Sequence, residues 1–419
     1  MSNPGIDDAG RQVSPGAPDV ELHRSLGLGL LVLYGLGVTV GAGIYVLVGT
    51  AAARAGVHAP IAFLVAASVM AFSAASFAEL AARFPVSAGE AAYVKAGFRS
   101  DAMALVSGLL VVTASVIAAA AISKGAAGYI GVLVPLPSAV LTAAVILAMG
   151  AVAAWGIKEA VGVAAVMTLI EIGGLLVIVG AGLWAQPTIL ADLPLAASGL
   201  GSAGAWSGVL GASLIAFFAF IGFEGMVNVA EEVKRPERTL PLAIAIVLAV
   251  STLLYILVVW VVIRSVPQAE LAASQAPLSL AYERLTGASP VIISLIAIFA
   301  TINGVIVQTI MSSRVIYGLA SQGLLPRALG KISPLTRTPL RASVVVVAIV
   351  LVLALFFPIG RLADMTTWVM LTVFTLVNAA LVLLKIRDPA PPRGLCFPIW
   401  MPLAGATSCV ALLVATALW

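Results

Sequence analysis

Charge is scarce in this 419-residue sequence: Asp, Glu, Lys and Arg make up 10% of it, against about a quarter in soluble globular domains. With 62% hydrophobic residues, too little polar material remains to cover a water-exposed surface, which excludes soluble folds. Histidine and cysteine are nearly missing. The only histidines are His23 and His58, and no cluster of His, Cys or paired carboxylates marks a hydrolytic or redox centre. Cys396 and Cys409 are 13 residues apart, and the second sits inside the last hydrophobic run, so neither spacing nor setting suggests a disulfide framework or a metal site. No loop is long enough for a separate catalytic domain, the largest being 186–205 and 266–289. The expectation is a non-enzyme without a cofactor. Residues 1–22 lack the basic flank and short apolar stretch of a cleavable signal and read as a disordered cytoplasmic tail.

What is present is long apolar runs. A bilayer core about 30 Å thick takes roughly 20 apolar residues per helical crossing, so the rare charges serve as a ruler. Adequate runs lie between Arg24 and Arg54, Arg54 and Glu79, Asp101 and Lys124, Lys124 and Lys158, and Glu171 and Asp192, the last in a helix beginning near Ala160. Six more lie between Asp192 and Glu224, Arg238 and Arg264, Arg284 and Arg314, Arg341 and Arg361, Asp364 and Lys385, and from Arg393 to Trp419. The reading is an all-α integral membrane protein of eleven helices in a single membrane domain. With the N-terminus inside, all but five of the 22 basic residues (Arg54, Lys124, Arg264, Arg284 and Arg361) fall on the cytoplasmic side, as the positive-inside rule demands. The net charge of +4 therefore reports topology, and no nucleic-acid partner is expected. The expected setting is the plasma (inner) membrane, multi-pass, with the lipid bilayer as a partner; the oligomeric state is open.

Glycines interrupt two of these helices at corresponding places. The first reads Tyr34-Gly35-Leu36-Gly37-Val38-Thr39-Val40-Gly41-Ala42-Gly43, and the sixth reads Phe217-Phe218-Ala219-Phe220-Ile221-Gly222-Phe223-Glu224-Gly225. Irregular backbone at membrane depth is tolerated only where it is buried or lines a cavity. Interrupted segments five helices apart point to an inverted-repeat carrier whose half-helix ends hold the substrate. Half-helix N-termini attract a carboxylate and unwound carbonyls attract an ammonium group, so a zwitterion satisfies both. For the first helix alone, a Gly37/Gly41 packing face explains the glycines equally well.

The stretch Phe217–Leu240, FFAFIGFEGMVNVAEEVKRPERTL, resembles the amino acid, polyamine and organocation superfamily of permeases, most closely its cationic amino acid transporter branch. Gly41–Gly49, Phe77–Pro85 and Ser312–Pro326 support the resemblance, which runs through ten helices. It implies a 5+5 inverted-repeat core over 23–387 with broken helices 1 and 6, followed by a loop and an eleventh helix over 388–419. It further implies alternating access, with the substrate carboxylate at the amides of Ala42 and Gly43, beside Gly41. The ammonium would lie at carbonyls of Thr39, Phe218 and Ile221, with Phe218 as an aromatic gate and Phe223 and Gln308 among the binding residues. The implied function is a secondary active transporter of amino acids, coupled to protons or acting as an exchanger. The alternatives are a non-transporting amino acid sensor and an amine or polyamine carrier coupled to sodium.

Two carboxylates fall inside hydrophobic runs. Glu171 stands in the middle of helix 5, where proton-coupled members of the superfamily often carry a lysine, and a charge at mid-bilayer costs at least about 2.5–3.5 kcal/mol. It is expected to couple transport to a proton or a bound cation, or else to be a protonated structural residue. Glu224, after the second break, is expected to help close the pathway toward the cytoplasm. In helix 8, Gln308 and Ser312 share a face at i and i+4, and with Ser313 they are expected either to complete the site or to bond between helices.

Overall fold

The computed structural model describes residues 26–84, 89–155, 161–321, 325–333, 336, 338–388 and 396–418. The expected tail over 1–22 and Lys158 lie outside these residues. Among the described residues, eight helical stretches are long and apolar enough to cross a bilayer. The first, Leu28–Arg83, holds two crossings: a broken one made of α1 (Leu28–Val40) and α2 (Ala42–Ala55), then α3 (Ala59–Arg83). A short α4 (Gly89–Phe98) follows, and α5 (Asp101–Leu133), α6 (Ser138–Trp155) and α7 (Val161–Ala185) complete the first five crossings. The sixth is α8 (Ala203–Phe220), which runs into 3-10 backbone over Phe223–Glu232, and the seventh is α9 (Pro236–Ser265). Two short helices, α10 (Gln268–Ala273) and α11 (Pro277–Thr286), precede α12 (Val291–Ser321), α13 (Leu340–Phe356), α14 (Ile359–Arg387) and α15 (Trp400–Leu418). Counting α13 and α15, which are apolar but shorter, the described residues hold eleven helical segments that fit the eleven expected crossings.

The outer surface fits lipid rather than water. Leu253 is 61% exposed and Leu176 54%, both well inside their helices, which a soluble chain would bury. Trp155, Trp184 and Trp400 are exposed at helix ends, where amphipathic rings meet the headgroups. Inside, α5 packs along α12 and α14, α3 along α8 and α9, and α15 against α14 and α3. Sequence spacing ended the third crossing at Lys124, but α5 continues to Leu133. Lys124 is accommodated because its Nζ donates to the Ala354 carbonyl at 2.8 Å, in the last turn of α13, where a cation suits the helix dipole.

Two charge networks tie the crossings together at opposite ends. Near the start of α14, the Asp364 carboxylate receives both Arg54 guanidinium nitrogens at 2.7 Å, and Arg54 Nη1 also donates to the Gly211 carbonyl at 2.9 Å, joining α2, α8 and α14. At the other end, the buried Glu79 carboxylate accepts from Arg83 at 2.7 Å and from Lys385 at 2.6 Å, and its second oxygen accepts from the Phe397 amide at 2.9 Å. That network fastens the lead-in to α15 onto α3 and α14. Asp364→Asn leaves the Arg54 guanidinium without its countercharge, so a thermal-unfolding double-mutant cycle with Arg54→Gln is expected to show a coupling above about 1 kcal/mol. Additive single losses would show that the pair contributes nothing.

Candidate functional site

The first crossing breaks at Gly41, which is neither in α1 nor in α2 and has φ −44° and ψ −123°. A new helix therefore starts at Ala42 inside the protein, with first-turn amides that have no partner in their own helix. The sixth crossing breaks at Ile221 and Gly222, where Ile221 is extended and Gly222 has φ +135°. That backbone excludes other residues twice over, since a Cβ at Gly222 would also collide with the Val38 carbonyl oxygen of the first break. The two crossings touch closely just beyond: a Cβ at Gly43 would lie 2.7 Å from Ala219 Cα.

Tyrosines satisfy part of the severed backbone. The Tyr255 hydroxyl on α9 lies 2.7 Å from the Thr39 carbonyl and 2.9 Å from the Ala219 carbonyl, so a single donor serves the ends of both α1 and α8. The Tyr45 hydroxyl donates to the Glu171 carbonyl at 2.6 Å, and the Tyr129 hydroxyl to the Tyr45 carbonyl at 2.6 Å. A parallel bridge joins the chain ahead of α1 to the end of the 3-10 segment: Leu26 N–H donates to Glu232 at 3.0 Å and Lys234 N–H to Leu26 at 2.9 Å. The near halves of both broken crossings are thus linked at their ends and again at the breaks.

Between them lies a cavity of about 200 Å³. Of the residues expected at a binding site, Thr39, Gly41, Ala42, Gly43, Phe218, Ile221 and Gln308 all line it. The Thr39 carbonyl is engaged by Tyr255, whereas its Oγ1 is buried without a hydrogen-bond partner, so the hydroxyl is the open group there. Phe223 is not brought to the cavity. It is 1% exposed and packs its ring against Phe77 and Phe374, with centroids 5.5 and 5.7 Å away. Ser312 and Ser313 are also elsewhere, their hydroxyls donating within α12 to the Gln308 and Ile310 carbonyls at 2.8 and 2.9 Å. The face that α12 presents is Ala300, Asn303, Gly304, Val307 and Gln308, a stripe at i, i+3, i+4, i+7 and i+8. Pairing Gln308 with Ser312 followed that stripe one turn too far; Asn303, another polar residue in the same apolar run, is the one that shares the cavity with Gln308, and its Oδ1 is buried and unpartnered. Tyr34, Gly37 and Thr168 complete the wall toward the start of α1.

Glu171 is 2% exposed, and its Oε2 has no hydrogen-bond partner; a Cβ at Gly41 would come within 3.7 Å of it. The carboxylate therefore stands beside the first break without lining the cavity itself. Glu224 accepts a hydrogen bond from the Gly222 amide at 2.8 Å and lines a separate space of about 50 Å³, together with Glu90 of α4. This smaller space shares Val38, Ile221 and Gln308 with the main cavity. Burial pushes the Glu90 carboxyl above its ordinary value.

The two glycines of the second break make opposite demands. Gly222→Ala is expected to lower folded yield and thermal stability sharply, whereas Gly225→Ala, whose Cβ would meet only Val38 Cγ1 at an ordinary 3.5 Å, should leave both nearly unchanged. Size-exclusion profiles and unfolding curves of the two variants check this contrast.

Comparison with known proteins agrees with the geometry. The branched-chain amino acid permease BcaP of Bacillus subtilis is 31% identical over 402 residues, covering 90% of this chain and 84% of that protein. The vacuolar cationic amino acid transporter 4 of Arabidopsis thaliana is 32% identical, over 89% of this chain and 65% of its own length. The methylthioribose transporter of Bacillus subtilis is 29% identical, over 88% of this chain and 82% of its own. The sequence pattern of the amino acid permease family matches residues 28–419, from the first turn of α1 to the last residue, and the chain belongs to that family.

Proposed function

We propose that the chain is a secondary carrier that moves amino acids across the plasma membrane by alternating access. The observation that carries this reading is that both breaks open onto one cavity. The amides of Ala42 and Gly43, at the N-terminus of α2, suit a substrate carboxylate. The carbonyls around Thr39, Phe218 and Ile221 and the free Thr39 hydroxyl suit its ammonium group. On this reading the first five crossings and the next five are inverted repeats, and α15 is an addition. With the N-terminus inside, the cavity extends from the breaks toward the cytoplasm. Tyr45, Tyr129 and the Phe63–Phe220–Tyr255 aromatic contacts close the opposite side, an inward-facing arrangement.

The lining bears on the substrate. Its polar side chains are Tyr34, Thr39, Thr168, Asn303 and Gln308, and none of its residues is charged. A cationic side chain would lose hydration there without a countercharge, which favours a neutral amino acid of modest size. The branched-chain activity in one relative's name agrees with that lining better than the cationic activity in another's. Glu171 is the proposed coupling residue: a buried carboxylate beside the first break, with its Oε2 unpartnered, is a proton-binding group whose charge the half-helix ends sense.

Radiolabelled uptake into proteoliposomes, with pH and sodium gradients imposed separately, tests the scheme. Leucine or valine accumulation driven by an inward proton gradient is expected, with arginine competing at least about tenfold less well. Glu171→Gln is expected to keep counterflow exchange while losing the response to the pH gradient. Better competition by arginine overturns the neutral-substrate reading, retained pH drive in Glu171→Gln overturns the coupling role, and binding without flux makes the protein a sensor.

A further inference from the structure

The face of the membrane at which α2 ends carries five basic side chains, four of which are matched. Arg54 pairs with Asp364, Lys124 caps α13, Arg264 reaches Asp192 at 3.0 Å, and Arg284 reaches Glu270 at 2.6 Å. Arg361, in the first turn of α14, is exposed, and its guanidinium makes no ion pair or hydrogen bond among the described residues. It stands at a cavity of about 1070 Å³ that also takes in the Arg54–Asp364 pair, so two guanidiniums there face one carboxylate. The remaining walls are largely apolar: Leu210 and Leu214 of α8, Trp368 of α14, and Leu413 and Val414 of α15. Val414 is 51% exposed, and Leu403 and Val410 on the same helix are 45% and 44% exposed, so this edge of the cavity opens to lipid.

An excess positive charge at a helix end, beside an aliphatic channel, matches one chemistry: a phosphodiester headgroup with acyl chains attached. We infer that the α8–α14–α15 cavity is a binding site for an anionic phospholipid, with the phosphate at Arg361 and an acyl chain along Leu210, Leu413 and Val414. The site includes Arg54, which joins the outer end of α2 to α14 through Asp364 and to α8 through the Gly211 carbonyl. A lipid seated there would bear on the far halves of both broken crossings. The site is independent of the substrate reading, since none of its residues lines the central cavity.

The purified full-length protein in nanodiscs of phosphatidylcholine with and without phosphatidylglycerol tests this, read by native mass spectrometry of retained lipid and by thermal unfolding. Wild type is expected to retain phosphatidylglycerol at least about fivefold over phosphatidylcholine and to melt higher in its presence. Arg361→Gln should lose most of that preference, while Arg284→Gln, on the same face but ion-paired, should keep it. Because Arg361 is exposed, its replacement is not expected to disturb folding, and circular dichroism checks that. Equal lipid retention by wild type and Arg361→Gln overturns the site. Displacement of the lipid by millimolar glycerol 3-phosphate or inorganic phosphate would make it a simple anion site, and displacement by millimolar free amino acid an outer substrate site. Either displacement also overturns the lipid assignment.

Discussion

A helix that stops inside a bilayer strands backbone groups that lipid cannot satisfy, and much of this protein's interior answers that problem twice. The break at Gly41 severs one helix and the break at Ile221–Gly222 another, and the two halves of each crossing need partners other than the next turn. The structure places the severed ends against each other, so that the Val38 carbonyl abuts Gly222 and Gly43 abuts Ala219. Neither break would be stable alone. Once together, they share the Tyr255 hydroxyl and leave the remaining groups facing a cavity that a polar solute can occupy.

That sharing has a mechanical consequence. Tyr255 is bonded to the ends of α1 and α8 at once, and the Leu26 bridge joins the chain before α1 to the segment after α8. Through the Leu26 bridge, a displacement of the near half of one broken crossing pulls on the near half of the other, while Tyr255 ties the end of α1 to α8 across the breaks. The far halves are joined separately through Arg54, which reaches Gly211 on α8 as well as Asp364 on α14. The breaks are consequently the compliant points between two linked units, and a cavity located at the compliant points changes access when either unit tilts. Glu171 bonds to one unit through its own carbonyl and Tyr45, and its carboxylate stands beside Gly41, close to where the two units meet.

Much of this was legible in the sequence because the bilayer makes composition quantitative. Charges too rare to cover a soluble fold measured out eleven crossings, and the glycines of the first and sixth marked both breaks to within a residue. Legibility failed where orientation about a helix axis mattered. Phe223 follows the break directly, but the extended Ile221 and the φ of +135° at Gly222 turn it into the Phe77–Phe374 cluster, away from the cavity beside Phe218. Ser312 lies on the Gln308 side of α12, yet its hydroxyl turns back onto its own helix, as serine readily does where no partner approaches. Lys124 looked like a boundary because a lone lysine in an apolar run normally is one. Only the position of α13's last turn, remote in sequence, shows why α5 can carry it.

The final crossing shows what a sequence count leaves out. As an apolar run, α15 could have been a loosely attached addition, but three unrelated contacts bind it to the bundle. Glu79 accepts the Phe397 amide just before it, Cys409 meets Ser73 of α3 at 3.6 Å, and Gly405 leaves room for Asn378, which itself bonds to Ser73 and Ser76. Polar side chains in a bilayer seek each other because lipid offers no alternative, so such a seam fixes register as well as position. With α15 held against α3 and α14, its far end has to stand beside α8, and the gap that remains there is bounded by aliphatic walls and Arg361. The seam on one side of α15 thus creates the lipid-facing cavity on the other.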